Sequence, residues 1–95
     1  MKYVVIYRTA ASAGQQLAKH FPEHQARWAR YRDAGTLLMI GPYADRSGAL
    51  AVFTSREAAE EFVAGDPFVI NGLIERSEIT EWAEAVIPDQ PVGHS

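Results

Sequence analysis

The chain opens on KYVVIYR, a stretch in which apolar side chains occupy both alternating faces: Tyr3, Val5 and Tyr7 on one, Val4 and Ile6 on the other. β-Branched and aromatic residues in this pattern predict a strand over Lys2 to Arg8 that is buried on both sides. The period then changes. Pro22 suits a first helical position, where its missing N–H has no intrahelical partner, and predicts a helix from about Pro22 to Ala34 with Gly35 as its left-handed stop. His24, Trp28 and Tyr31 fall on one side of that helix, at i, i+4 and i+7. Upstream, Ser12 and Gln15 have capping-box spacing, which predicts a short separate helical turn. TLLMIGP reads as a second strand ending at Gly41-Pro42, and GALAVFT as a third. The polar connection Tyr43 to Ser47 makes the two a hairpin, with Asp45 and Arg46 at its tip. Ser55 caps a second helix, Arg56 to Ala64, whose stripe is Ala58, Ala59, Phe62 and Val63 and whose end is Gly65. Asp66 precedes a proline and is therefore extended. After PFVING comes a fourth strand, roughly Leu73 to Trp82, and then a proline-rich tail, IPDQPVGHS, expected to be loose or draped on a neighbour.

The order β-α-β-β-α-β favours an α+β, ferredoxin-like sandwich: one antiparallel four-stranded sheet with both helices on the same face. The opposite face is then bare although strands one and three are apolar there, which predicts a homodimer packed sheet on sheet. Topology also sorts side chains by end. A helix start, a strand end and a helix end bring His24, Gly41, Pro42 and Asp66 to one end of the sandwich. Asp33 falls at the other, roughly 13 Å from His24 at ~1.5 Å per residue.

Composition narrows the chemistry. Ninety-five residues make one domain, and a net charge of −3 without a block of like charges offers no bulk attraction to nucleic acid or to an anionic membrane. The absence of cysteine removes disulfides, thiolate nucleophiles and Cys-ligated zinc, and fits a reducing, cytoplasmic setting. Three scattered histidines make no metal site, and no GxSxG or phosphate-loop motif occurs, so neither a metal nor an organic cofactor is expected. What remains is proton transfer: an aspartate that orients a histidine leaves the other ring nitrogen to move a substrate's proton. His24 and Asp66 are the candidate pair. Trp28, Tyr31, Met39, Gly41 and Pro42 are candidate pocket walls, and Arg8, at the upper end of strand one, a candidate for holding a substrate carboxylate.

The segments EHQARWARYRDAGTLLMIGP and GALAVFTSREAAEEFVAGDPF, with the NGL that follows, resemble the YciI-like (YCII-related) family of small dimeric α/β-barrel proteins. The resemblance runs from Met1 to about Trp82. It rests on a histidine opening helix one, a helix-ending glycine before an apolar strand closed by Gly-Pro, and a DPF after helix two. It implies a ferredoxin-like domain over residues 1–87 that dimerises as an α/β barrel, with a tail over residues 88–95. It also implies a pocket centred on a histidine and an aspartate, which carries over to His24 and Asp66, and marks Asp33 as a lesser candidate at a position often acidic in the family. One branch of the family is associated with dehydrochlorination of hydroxylated aromatics, and the wider superfamily includes muconolactone isomerases and monooxygenases; a shared fold transfers none of these by shape.

Two function classes stay open. In one, the chain is a cofactor-independent lyase or isomerase in which His24 is the base, acting on a small aromatic or lactone-like substrate. In the other, it is a non-catalytic dimeric module that binds a small ligand or assists a larger enzyme, with Asp66 a turn residue and His24 structural. A cofactor-free monooxygenase is a third option.

Overall fold

The computed structural model describes residues 1–87, so the tail at 88–95, with His94, lies outside the described residues. Strand β1 (Lys2–Thr9) lies between β3 (Gly48–Phe53) and β4 (Ile74–Trp82), and β2 (Leu37–Pro42) borders β3, giving the order β2-β3-β1-β4. Each neighbouring pair is antiparallel. With helices α1 (Gln16–Asp33) and α2 (Arg56–Gly65) as the two crossovers, this is the ferredoxin-like arrangement that the element order implies.

The period-two alternation of β1 decides what it buries. Val5 and Tyr7 join Ala51 and Phe53 of β3 under the helices, which answer with Tyr31, Ala59 and Phe62. Phe53 and Phe62 are fully buried, with ring centroids 5.4 Å apart, and each contributes roughly 1.5–3 kcal/mol of hydrophobic stabilisation. The other sheet face carries Val4 and Ile6, opposite Val52 and Leu50, with Met39 beyond Val52.

Two expectations need correction. Helix α1 begins at Gln16, six residues before Pro22, which sits inside it. A proline there withholds one hydrogen bond from the carbonyl four residues back. The early turns form nonetheless, one withheld hydrogen bond breaking a single rung of the ladder, and they bring Leu17, Ala18 and Phe21 to the edge of a cavity beside the sheet. The Ser12–Gln15 capping box does not form: Gln15 precedes the helix in αR geometry with no side-chain cap. His24 consequently lies in the third turn of α1 rather than at its mouth. The second correction is in PFVING, where no periodicity marks an element. There Pro67–Ile70 makes a helical turn, α3, capped by the Asp66 side chain. By contrast, Gly35 does adopt a left-handed backbone, with φ of 80°, and Ser55 does cap α2, its Oγ accepting from Ala58 N–H at 3.2 Å.

Candidate active site

Asp66 ends α2 and caps α3, and is fully buried. Burying a carboxylate is tolerable only when hydrogen bonds replace its water. Three donors do so: Tyr7 Oη–H to Oδ2 at 2.7 Å, His24 Nδ1–H to Oδ1 at 2.8 Å, and Phe68 N–H to Oδ1 at 3.1 Å. They come from β1, α1 and α3, so the carboxylate is a node joining three elements. Burial, then the charge and hydrogen bond of Asp66, push the Tyr7 phenol far above its ordinary pKa, and it stays a donor across the working pH range.

His24 is held as firmly by its ring faces. Phe68 stacks on it with centroids 4.0 Å apart and planes 7° from parallel, while Phe21 and Phe62 approach at 6.0 and 6.2 Å. Because Asp66 accepts at Nδ1, that nitrogen carries the proton and Nε2 keeps its lone pair. Among the described residues no hydrogen-bond partner occupies Nε2. His24 borders a cavity of about 530 Å³ between α1 and the sheet, walled mainly by apolar and aromatic side chains.

The structure sorts the other candidates by which way their strand or helix turns them. Trp28, Gly41 and Pro42 line the cavity with His24. Arg8 does not: next to inward-facing Tyr7 it must face outward, and there it pairs with Glu75 at 3.1 Å. Met39 also lies off the cavity. The register irregularity between Leu37 and Met39 sets it opposite Val52 on the outer face, 61% exposed, and Ile40 takes the cavity position. Tyr31 sits two turns beyond His24 in the core, its hydroxyl donating to Glu61 Oε1 at 2.6 Å. Asp33 is exposed at the end of α1 and accepts from its neighbour Arg32 at 2.9 Å.

Tyr7 and Phe68 are the site residues that sequence reasoning passed over. The signal for Tyr7 was present, since a phenol on the buried face of a strand needs a hydrogen-bond partner and the topology puts Asp66 at the same end. For Phe68 the local sequence offers only its place two residues after a capping aspartate, which fixes its N–H and not the direction of its ring.

No curated protein matches the chain. Among solved structures, it is similar to the 5-chloro-2-hydroxyhydroquinone dehydrochlorinase TftG from Burkholderia phenoliruptrix AC1100, determined in complex with 2,5-dihydroxybenzoquinone. The TM-score is 0.76 at 18% identity, over 90% of this chain and 96% of that one. At that identity the likeness establishes a common fold. The YCII-related domain model matches residues 1–83. The chain, with its buried aspartate, its histidine and the cavity beside them, therefore belongs to the YCII-related family.

Proposed function

We propose that the protein is a cofactor-independent acid/base catalyst, a lyase or isomerase acting on a small hydroxylated aromatic substrate. One observation carries this reading: His24 Nδ1 is tied at 2.8 Å to a fully buried Asp66, while the same ring borders an apolar cavity. Nε2 takes a proton from a ring hydroxyl, and Asp66 stabilises the imidazolium that results. Tyr7 and Phe68 N–H hold that carboxylate in place, so the proton stays on the imidazole. In an isomerisation the proton returns to a different substrate atom. In an elimination one hydroxyl proton is moved to the ring carbon that bears the leaving group, giving a keto tautomer, and a second hydroxyl then loses its proton as the leaving group departs with the bonding pair; the sum is loss of H–X, and no oxidant enters. The fold shared with a dehydrochlorinase is in keeping with the second course.

A non-catalytic ligand-binding or accessory role is the competing reading, and the near-complete burial of His24 among three phenylalanines favours it, since a packed and satisfied histidine can be purely structural. Chloride release from 5-chloro-2-hydroxyhydroquinone separates the two. General-base catalysis predicts that His24→Gln lowers the rate by about 10²–10⁴-fold with an unchanged circular dichroism spectrum. Asp66→Asn is expected to lower it by about 10²–10⁴-fold as well, by unfixing the tautomer. Equal rates in wild type and His24→Gln, or a wild type that binds the ring and releases nothing, would transfer the conclusion to the accessory role.

A further inference from the structure

Among the described residues Arg46 is the non-glycine position with a left-handed backbone, at φ of 64°. That conformation costs an L side chain roughly 1–2 kcal/mol, and glycine or asparagine would adopt it more easily. The β2–β3 connection holds it there. Arg46 N–H donates to the Tyr43 carbonyl at 3.0 Å, and Thr9 N–H donates to the Ser47 carbonyl at 3.0 Å, which pins the connection to the end of β1. The adjacent carboxylate of Asp45 is engaged by Ser47, through its N–H at 2.9 Å and its hydroxyl at 2.7 Å. Arg8 pairs with Glu75, Arg32 with Asp33, Arg27 bonds the carbonyls of α2 and Arg56 lies over the Tyr3 ring, while Arg30 and Arg76, like Arg46, have no such partner among the described residues but do not border the cavity. The Arg46 guanidinium has no hydrogen-bond or ion-pair partner among the described residues, and it lines the cavity that holds His24.

Charge inside that cavity is one-sided. Its lining includes the hydroxyls of Tyr7 and Thr9, the His24 imidazole, and Arg46 as the sole permanently charged group. Asp66, the nearest carboxylate to the chemistry, is sealed behind its donors. Arg46 is solvent-exposed at the edge of the cavity, so its guanidinium acts on a ligand there by direct contact. Its position gives a length scale. Thr9 N–H donates to the Ser47 carbonyl, so the turn that carries Arg46 stands level with Thr9, two strand residues beyond the Tyr7–Asp66–His24 cluster, roughly 7 Å at ~3.3 Å per residue. The arginine side chain and one six-membered ring together bridge that span.

We propose that Arg46 is an anion-binding residue of this cavity, selecting ring substrates that carry a negatively charged oxygen, as carboxylate or ionised hydroxyl, away from the atom presented to His24. This deepens the functional reading above and rests on its aromatic-binding cavity. Calorimetric titrations test it, with 2,5-dihydroxybenzoate as the anionic ring and 1,4-dihydroxybenzene as the neutral one. Wild type is expected to prefer the anion by about tenfold at low salt, the scale of a charge-assisted hydrogen bond, and less at high salt. Arg46→Asn, at ease in the left-handed backbone, removes the preference, keeps affinity for the neutral ring within about twofold and keeps or raises Tm. Arg46→Lys retains most of the preference. Titration with 2,5-dihydroxybenzoquinone, whose hydroxyls ionise readily, assigns the charge: tight binding of both anions means any ring oxyanion is accepted, and tight binding of the benzoate alone means a carboxylate. An undiminished anion preference in Arg46→Asn, or equal loss of both rings in it, would overturn the proposal. So would a wild type that binds both rings equally, a result that leaves the aromatic cavity standing; a wild type that binds neither ring removes the cavity reading and Arg46 with it.

Discussion

A carboxylate cut off from water depends on each of its donors, and the hydroxyl of Tyr7 is the one that can be removed with least change of shape. Tyr7→Phe deletes a buried hydrogen bond to a charged acceptor and is expected to cost about 1.5–3 kcal/mol in urea denaturation. A loss below about 0.5 kcal/mol would place Tyr7 at the level of an ordinary surface contact and break the three-donor account of Asp66. Single residues were unevenly legible. His24 and Asp66 do meet, at 2.8 Å, as the sequence and the family resemblance lead one to expect, although the helix start that was to bring His24 there lies eight residues earlier, at Gln16. Alternation along β1 already turns Arg8 away from the face of Tyr7, whereas Met39 could not be placed, since one register irregularity in β2 inverts the assignment. Phe68 escaped because an aromatic stacked on imidazole at 4.0 Å leaves no periodic trace.

At the scale of elements, the last turn of α2 sets where Asp66 stands, and Arg27 of α1 holds that turn. Its Nη2 donates to the Glu61 carbonyl at 2.8 Å and its Nε to the Phe62 carbonyl at 3.2 Å, supplying carbonyls at the helix end with partners. This also explains Gly65, whose φ is not left-handed: a Cβ there would run into the guanidinium, with Nη1 only 2.9 Å away. Gly65→Ala is therefore expected to push the guanidinium aside and to destabilise wild type by about 0.5–1.5 kcal/mol, the scale of an Arg27 hydrogen bond lost. In an Arg27→Ala background the same change is expected to stabilise by up to about 1 kcal/mol, the helix preference of alanine over glycine. A double-mutant cycle by urea denaturation measures the reversal, and additive effects would remove Arg27 as the cause. The elements themselves were largely readable, since hydrophobic period, Ser55 and Gly35 mark most strand and helix limits. The start of α1 was not, because proline only favours a first turn and is tolerated further in at the cost of one hydrogen bond, and the polar, small residues before Pro22 carry no clear helical period.

For the whole molecule, the sheet face turned away from the helices presents Leu50 at 38% and Met39 at 61% exposure beside Val4, Ile6 and Val52. We propose that a second copy of the chain covers this face. Sedimentation equilibrium at micromolar concentration is expected to return twice the 10.5 kDa chain mass. Met39→Lys, at a position already open in one chain, is expected to shift the protein toward monomer with less than about 0.5 kcal/mol lost from the fold of each chain. A wild type sedimenting at 10.5 kDa would refute the assembly. No helix among the described residues is long and apolar enough to cross a membrane. The triple engagement of Asp66 bears on how this lineage is to be read. A residue that caps one helix, ends another and anchors a strand is one the fold needs whether or not the chain turns anything over. Descendants that abandon turnover would therefore keep their aspartate, and with it the appearance of an enzyme. Loss of catalysis would be written first at positions the fold does not need, such as the strained arginine of the β2–β3 connection, where drift toward glycine or asparagine relieves the backbone. That single position is the more informative one to compare across relatives when sorting enzymes from their silent cousins.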